Sequence, residues 1–333
     1  MGRVGMMTLA VAALMVAGGA TVPASPAAMS MDMPLLRGDL SVLTYNVHGL
    51  PWPIARGRSA DLGAIGDRLR AMRTAGRAPQ VVVLQEAFTL EAQRIGRAAG
   101  YRYIVNGPVA EMAPIDTATV RRRWWSGESE GKWLGSGLQI LSDYPVLATR
   151  AVVFSSCAGY DCLANKGAVL ARLAVQGAQV DILTTHLNSR GASGVDNSRS
   201  DAAFKNQVSV LKQFVERAHD PRYALIVAGD FNIGKSPDRR AAVLGDYGVA
   251  RRSADALHDA LRQGLALPRD AITSLHRSKD WQFFASGTQA AIAVTGIAVP
   301  FGRASDGTML SDHIGYVASY RISPITTIAR PTT

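Results

Sequence analysis

Short apolar runs bounded by turn-forming residues recur along the chain and predict about ten β-strands. The runs cover residues 40–47, 81–85, 137–141, 168–175, 180–187, 224–228, 282–285, 292–299 and 314–322. Apolar side chains at helical spacing predict three helices, over residues 61–75, 90–99 and 202–218. Because these helices do not alternate strictly with the strands, the pattern predicts an α/β protein built on antiparallel or mixed sheets.

The first 28 residues have the layout of a secretory signal peptide. Arg3 is the only charged residue in this stretch, and an apolar run of 12 residues extends from Met6 to Ala17. Such a run is shorter than the roughly 20 residues of an ordinary membrane span, although an uncleaved anchor is the alternative. We therefore expect a protein that is secreted or periplasmic after cleavage of the signal peptide.

The composition is that of a globular protein, with 47% hydrophobic and 19% charged residues, and it excludes collagen-like and disordered chains. A total of 36 Lys and Arg residues against 26 Asp and Glu residues gives a net charge of +10. This positive charge suits anionic partners such as nucleic acid, phospholipid surfaces or phosphorylated metabolites, but it does not choose among them.

The chain has two cysteines, Cys157 and Cys162, which are separated by four residues in a loop-like stretch. In an oxidising compartment such a pair favours a local disulfide, and two free thiols are the alternative. A zinc site is not indicated, because no second cysteine pair or close histidine pair accompanies them.

Polar residues with catalytic chemistry stand where apolar strands end and loops begin. They are Asn46, Glu86, His186, Asn188, Asp230, Asn232, Asp280, Asp312 and His313. Strand ends can converge at one edge of a sheet, and oxygen-rich side chains of this kind suit Mg²⁺, Ca²⁺ or Mn²⁺. The two histidines lack close helical spacing, so they suit a general base and a phosphate contact better than zinc ligation.

The same residues lie in motifs that resemble the endonuclease/exonuclease/phosphatase superfamily, a group of metal-dependent phosphoesterases. The motifs are Leu-Thr-Tyr-Asn-Val, Val-Leu-Gln-Glu, Gly-Ser-Gly-Leu-Gln-Ile-Leu-Ser, Thr-His-Leu-Asn, Gly-Asp-Phe-Asn and Ser-Asp-His. The resemblance implies a DNase I-like fold, a four-layer αββα sandwich with the site at one edge of the paired sheets. It also implies one catalytic domain over residues 36–324.

The resemblance implies a metal site and a general base. Glu86 would be the principal metal carboxylate with Asn46 beside it, and Asp312 would be an auxiliary metal or water ligand. His313 would be the general base, oriented by Asp280. The Lys-Asp-Trp run around Asp280 departs from the Asp-Tyr-Ile-like run usual in the family.

The remaining roles implied by the resemblance concern the phosphate and the attacking water. His186 would contact the scissile phosphate, Asp230 would orient the water, and Asn232 would hold a phosphate oxygen or the metal. The implied cofactor is Mg²⁺, with Mn²⁺, Ca²⁺ or Co²⁺ as alternatives.

A narrower resemblance, to the secreted bacterial sphingomyelinases, lies in the segment Ser-Cys-Ala-Gly-Tyr-Asp-Cys-Leu-Ala-Asn-Lys-Gly over residues 156–167. Those enzymes cleave a choline lipid into ceramide and phosphocholine. The resemblance implies that Lys166 and Asn188 bind substrate. Three features depart from that group: Ser-Arg follows Asn188, Phe231 often is Met there, and the stretch 290–301 lacks the large aromatics of their membrane-facing hairpin. That stretch is therefore either such a hairpin or a buried strand pair.

Three functions follow, and the most favoured is a secreted sphingomyelinase-type phosphodiesterase acting on a phospholipid headgroup at a membrane surface. The alternatives are a secreted DNase I-like endonuclease acting on nucleic acid and, least favoured, a non-catalytic binding protein. The basic and aromatic run Arg121–Trp125 fits lipid headgroups, nucleic acid or a solvated loop equally. No stable protein partner is expected.

Overall fold

The computed structural model describes residues 39–325, except 115–126, 246–247, 249 and 251–252. Within these residues, twelve strands form two six-stranded sheets. The predicted signal peptide and the run Arg121–Trp125 lie outside the described residues, so both interpretations stay predictions.

The first sheet has its strands in the order β11-β12-β1-β2-β4-β3. Its members are β1 (Leu40–Asn46), β2 (Val81–Gln85), β3 (Tyr103–Asn106), β4 (Gln139–Ser142), β11 (Ala290–Phe301) and β12 (Gly315–Pro324). The second sheet has the order β5-β6-β7-β8-β10-β9. Its members are β5 (Val146–Val153), β6 (Gly167–Val175), β7 (Ala178–His186), β8 (Ala224–Asp230), β9 (Ala254–Asp255) and β10 (Asp280–Ala285).

Six helices accompany the sheets in the described part of the chain. They are α1 (Arg58–Thr74), α2 (Leu90–Ala98), α3 (Asn197–Ala218), α4 (Pro237–Leu244), α5 (Ala256–Arg262) and α6 (Arg269–Arg277). A short 3₁₀ turn, Gly159–Leu163, lies between β5 and β6.

Both sheets are mixed, as the sequence pattern predicted. Within each sheet one pair of strands is parallel, β1 with β2 and β7 with β8, and the other pairings are antiparallel. The central strands are buried on both faces, which explains why β2 reads as an unbroken apolar run rather than an alternating one.

The main core lies between the two sheets, where Val42 and Val83 of the first sheet join one cluster with Ile182 and Ile226 of the second. Helices α1 and α2 cover the outer face of the first sheet, and α3 covers the outer face of the second. The result is the four-layer αββα sandwich of the DNase I type that the resemblance implied.

Some elements escaped the sequence pattern for physical reasons. The strand β5 is largely exposed along its first half and β9 has two residues, so neither carries an apolar periodicity. Helices α4, α5 and α6 have seven to nine residues, which is about two turns and too short for a clear pattern. Helix α3 begins at Asn197, earlier than predicted, because its first turn is polar.

The stretch 290–301 forms the single long strand β11, which pairs with β12 over most of its length. Ile292 and Val294 are buried in the main core, and Ile297 packs against the same cluster. The structure therefore supports a buried strand pair here instead of a membrane-facing hairpin.

The predicted disulfide between Cys157 and Cys162 is confirmed, with an S–S distance of 2.08 Å. Both cysteines are buried, and the bond closes the 3₁₀ turn that precedes β6. Lys132 donates from Nζ to the carbonyl of Cys162 at 2.9 Å and to that of Ala164 at 3.1 Å. Residues 156–167, called the disulfide segment here, are thus held by Lys132 near their carboxyl end.

Replacing both cysteines with alanine should lower the free energy of unfolding by about 2 kcal/mol, because a short cross-link removes a limited amount of entropy from the unfolded chain. Urea unfolding of the Cys157→Ala/Cys162→Ala variant measures the difference. The native protein under reducing conditions is the control and should match the variant. A variant as stable as the oxidised native protein would contradict this expectation.

Candidate active site

The carboxyl ends of four central strands meet at one edge of the sandwich. Asn46 ends β1, Glu86 follows β2, His186 ends β7 and Asp230 ends β8. Because β1 and β2 are parallel, and β7 and β8 are parallel, each pair brings its carboxyl ends to the same edge. Residues that are distant in sequence therefore share one cluster.

Two further residues reach the cluster from antiparallel elements. Asp280 begins β10 and lies directly opposite Asp230 in the strand register. His313 lies in the loop that leads into β12, which pairs with β1. Ser311 ties this loop to the first sheet, donating from Oγ to the carbonyl of Asn46 at 2.7 Å.

Asn46 joins the two sheets through its side chain amide. Its Nδ2 donates to Oε1 of Glu86 at 2.9 Å and to Oδ2 of Asp230 at 3.1 Å. Its Oδ1 accepts from the backbone N–H of His48 at 3.0 Å. Asn46 therefore lies beside Glu86, as predicted, and orients both carboxylates.

Three non-glycine residues around the site have left-handed backbone conformations. The φ angles are 51° at His48, 56° at Glu86 and 49° at Asn232. Such conformations cost energy for residues with a Cβ and persist where the surrounding structure imposes them, often at functional sites. Here each one occurs just after a strand end and turns the chain at the edge of the cluster.

Glu86, His186 and Asp230 offer ligand atoms that all lie within 4.8 Å of one another. Burial raises the pKa of Glu86 to about 7, although the hydrogen bond from Asn46 opposes that rise. A divalent cation would offset the cost of keeping this buried carboxylate charged. Carboxylate oxygens are the donors that Mg²⁺-type cations prefer, so Glu86 and Asp230 fit such an ion, while Asn46 positions both carboxylates through Nδ2.

A second group, Asp230, Asp280 and His313, also lies within 4.8 Å. Its members are already paired: Nδ1 of His313 lies 2.8 Å from Oδ2 and 3.0 Å from Oδ1 of Asp280. This bond orients the imidazole so that Nε2 faces Asp230 at 3.7 Å. The arrangement is that of a carboxylate-backed histidine, the pairing that the resemblance implied.

The charge environment of His313 favours its protonated form. Burial alone would lower its pKa, but the carboxylates of Asp280 and Asp230 outweigh burial and raise the pKa to about 9. Asp312, which is exposed, lies 4.0 Å from Nε2 of His313 and 3.4 Å from Nδ1 of His48. Asp312 therefore stands at the mouth of the site rather than in the cluster.

His186 differs from His313 because its neighbour is a cation. Nζ of Lys166 lies 3.2 Å from Nε2 of His186, and an ammonium group can only donate. Burial and the Lys166 charge together lower the pKa of His186 to about 3. The imidazole is therefore neutral, and the buried positive charge at this position belongs to Lys166, which also pairs with Asp161 at 3.0 Å.

The two asparagines after β7 and β8 have different positions. Asn232 lines the cavity, and its backbone N–H donates to Oδ1 of Asp230 at 3.0 Å. Asn188 was predicted to bind substrate, but the structure places it fully buried and off the cavity wall. Its Oδ1 accepts from Ala158 at 3.0 Å and its Nδ2 donates to Ser189 at 2.8 Å, so it holds the disulfide segment instead.

Two arginines that the sequence pattern did not single out fasten the loops of the site. Arg239, fully buried, donates from Nη1 to the carbonyls of Asn188 at 2.7 Å and Asn232 at 2.9 Å. Arg58 donates to the carbonyls of His48 at 2.9 Å and Leu310 at 2.6 Å. An arginine is normally assigned to the surface, so sequence offered no signal for either role.

The cluster lies at a cavity of about 360 Å³. Its polar lining includes Glu86, His186, Asp230, Asn232 and His313. Its apolar lining includes Leu50, Ile54, Phe88, Leu134, Tyr160, Leu163 and Ile233. The site therefore offers both a phosphate-sized polar centre and an apolar wall.

Comparison with known proteins identifies the family. The model of the endonuclease/exonuclease/phosphatase family matches residues 43–313. The chain belongs to this family. Its members are divalent-metal-dependent enzymes that hydrolyse phosphoric esters.

Among curated relatives, a sphingomyelinase of Mycobacterium tuberculosis is 26% identical over 210 residues, which are 62% of this chain and 36% of that protein. The match thus spans about a third of that relative. The solved sphingomyelinase C of Streptomyces griseocarneus is 22% identical, with a TM-score of 0.55, over 84% of this chain and 99% of that one. A Staphylococcus aureus beta toxin solved with bound magnesium ions is 18% identical, with a TM-score of 0.56, over 84% and 99%. These solved structures share the fold.

The pKa of His313 implies a pH dependence of stability in the metal-free protein. A histidine whose pKa rises on folding stabilises the folded state below its unfolded pKa of about 6.5, and this contribution is lost as pH rises through about 9. With a chelator present, the free energy of unfolding should fall between pH 7 and 9, by up to about 1.4 kcal/mol per pH unit. Urea unfolding across this range measures the slope.

The matched variant is His313→Asn, which should lack this slope whatever its absolute stability. The shift of His186 acts below this range, but Glu86 titrates near pH 7, so the two proteins are compared between pH 8 and 9. A native slope that persists unchanged in the variant would show that His313 is not the titrating group.

Removing the buried cation should impair phosphodiester hydrolysis. For Lys166→Met, kcat on a soluble phosphodiester should fall by about 10²–10³, the usual cost of losing one group that stabilises developing charge. Lys205→Met is the control, because Lys205 is exposed and pairs with Asp238 on the surface. The double variant Lys166→Met/Asp161→Asn avoids an unpaired carboxylate. A native kcat in a folded Lys166→Met variant would show that Lys166 does not stabilise the developing charge.

Proposed function

We propose that the chain is an exported, divalent-metal-dependent phosphodiesterase of the sphingomyelinase type, which releases a phosphorylated headgroup from a phospholipid. One observation carries the proposal. The cation-type site of Glu86, Asn46 and Asp230 adjoins a histidine, His313, that is backed by Asp280 and directs Nε2 towards Asp230. This combination suits attack of water on a phosphodiester.

The chemistry divides among these residues. A bound divalent cation, held by Glu86 and Asp230 whose carboxylates Asn46 orients, would polarise the phosphoryl oxygen and lower the proton affinity of nearby groups. His313 in its neutral form accepts a proton from the attacking water at Nε2. Asp280 stabilises the resulting imidazolium through Nδ1, which is the same interaction that raises the pKa of His313.

Lysine side chains that line the cavity would bind the phosphate of the substrate. Lys166 adjoins His186 and lines the cavity together with Lys235 and Lys279. Asn232 lies on the same wall, where its side chain could contact a phosphate oxygen. These groups stabilise the charge that develops on the phosphoryl oxygens during displacement.

The choice of a lipid substrate is supported by the apolar part of the cavity and by the disulfide segment. Tyr160 and Leu163 of that segment line the same cavity as the polar cluster, and an apolar portion of a lipid would pack against them. The relatives named sphingomyelinase favour the same substrate class. The net charge of +10 suits nucleic acid as well, which makes a nuclease the alternative to test.

Export is also part of the proposal. It is supported by the signal-like first 28 residues and by a disulfide, which forms and persists in oxidising compartments. Among the helices of the described residues, none has the length and apolar character to cross a bilayer.

The deciding experiment offers the mature protein three substrates with Mg²⁺: sphingomyelin vesicles, phosphatidylcholine vesicles and plasmid DNA. We expect phosphocholine release from sphingomyelin and its loss on adding a chelator. The variants His313→Ala and Glu86→Gln should each lower the rate at least about 10²-fold, because a positioned base or a metal ligand is lost.

His276→Ala is the control, because His276 is exposed on α6 outside the cluster, and its rate should be unchanged. Nicking of plasmid DNA without phosphocholine release would overturn the lipid assignment and establish the nuclease. An undiminished rate for His313→Ala would overturn the mechanism for either substrate.

A further inference from the structure

Large apolar side chains that are exposed to solvent concentrate around the mouth of the active-site cavity. Eleven such side chains are exposed in the described part of the chain. Two of them line this cavity, and five others lie within two residues of a lining residue or in a loop that is hydrogen-bonded to Asn165, beside the lining residues Ala164 and Lys166. These seven, called the apolar rim here, are Trp52, Ile54, Leu90, Val109, Met112, Trp133 and Tyr160. The other four, Leu147, Leu261, Ile272 and Ile325, are dispersed over other elements.

One part of the rim is formed by the loop between β1 and α1 and by the start of α2. Ile54 lines the cavity, and Trp52 precedes it by two residues. Trp52 also borders a surface groove with Thr89 and Glu91, the two neighbours of Leu90. Trp52 is 75% exposed, which makes it one of the most exposed large apolar side chains of the described residues.

The other part of the rim is built on the disulfide segment. Tyr160, 59% exposed, lines the cavity within this segment. Trp133, 65% exposed, is joined to it by a hydrogen bond from its backbone N–H to the carbonyl of Leu163 at 2.8 Å. Asn165 donates to the carbonyls of Val109 at 2.7 Å and Met112 at 2.9 Å, which ties the last rim residues to the same segment.

Basic side chains accompany the apolar rim. Arg190 and Lys235 line the cavity, and Lys235 is exposed. Arg56 is exposed in the same loop as Trp52 and Ile54. Tryptophan and tyrosine favour the interface of a bilayer, where an apolar body and a polar edge are both accommodated, and arginine and lysine meet lipid phosphates there.

We infer that the apolar rim is the surface by which this protein docks on the interface of a phospholipid bilayer. The inference rests on the proposed function, because a phosphodiester in a bilayer has to reach the cavity that the apolar rim adjoins. Strand β11 does not supply such a surface, because its apolar residues Ile292 and Val294 are buried in the core. The disulfide segment therefore serves two purposes, since it bears Lys166 at the site and carries one part of the apolar rim.

The test uses Trp52→Ala/Trp133→Ala in the mature protein, because neither tryptophan lines the cavity. The control is Leu147→Ala/Leu261→Ala, which removes two exposed apolar side chains elsewhere. Leu147 lies near the start of β5, at the opposite end from Val153, which pairs with Gly167 beside the site. Co-sedimentation with vesicles of sphingomyelin and phosphatidylcholine measures binding, and p-nitrophenylphosphocholine measures turnover without a membrane.

We expect the tryptophan variant to bind vesicles about tenfold more weakly, since binding at an interface scales with the apolar area that is inserted. Its turnover of the soluble substrate should stay within about twofold of native, and the control should match the native protein in both assays. Undiminished vesicle binding by the folded tryptophan variant would overturn the inference.

Two other outcomes are distinguishable. If light scattering shows a dimer that the tryptophan variant converts to a monomer while vesicle binding persists, the rim is an interface between copies and the inference is overturned. If vesicles bind through the tryptophans but no phosphodiester is hydrolysed, the docking surface stands and the proposed function fails.

Discussion

The carboxylate of Asp230 contacts residues of both sheets, and the geometry of the site depends on these contacts. It accepts from Asn46 of the first sheet at 3.1 Å and lies 3.5 Å from His186 and 3.7 Å from His313. The contacts with Asn46 and His186 exist because the parallel pairs β1–β2 and β7–β8 end at the same edge of the sandwich, and His313 reaches that edge from the loop before β12. Packing of the two sheets through the shared core therefore determines the distances between the catalytic groups.

The long buried elements and the site cluster could be predicted from sequence because burial leaves a strong signal. Central strands such as β2 read as unbroken apolar runs, and the polar residues that interrupt them at their ends mark the edge where they converge. The edge strand β5 and the two-turn helices could not be predicted, because half-exposed or short elements bear no periodicity. The resemblance to the sphingomyelinases predicted that Asn188 binds substrate. In the structure, its side chain oxygen and nitrogen are both hydrogen-bonded to backbone groups.

The role of the buried Arg239 could not be predicted from sequence either. Arg239 is held by Asp201 and by two loop carbonyls, contacts that only the assembled fold creates. Lys166 is comparable, since its role beside His186 follows from β6 and β7 being neighbours in the sheet. The disulfide segment then links this buried cation to the exposed apolar side chains around the cavity mouth. Chemistry inside the cavity and contact outside it thus depend on one short segment.

The mechanism depends on a divalent-cation site that Glu86 and Asp230, oriented by Asn46, would form next to His313. Anomalous diffraction from a crystal soaked in Mn²⁺ tests it most directly, because the peak locates the metal without reference to activity. We expect a peak at coordination distance from the Glu86 carboxylate and adjacent to Asp230. A peak held instead between Asp280 and His313, or no peak in this cluster while the metal binds elsewhere, would contradict it.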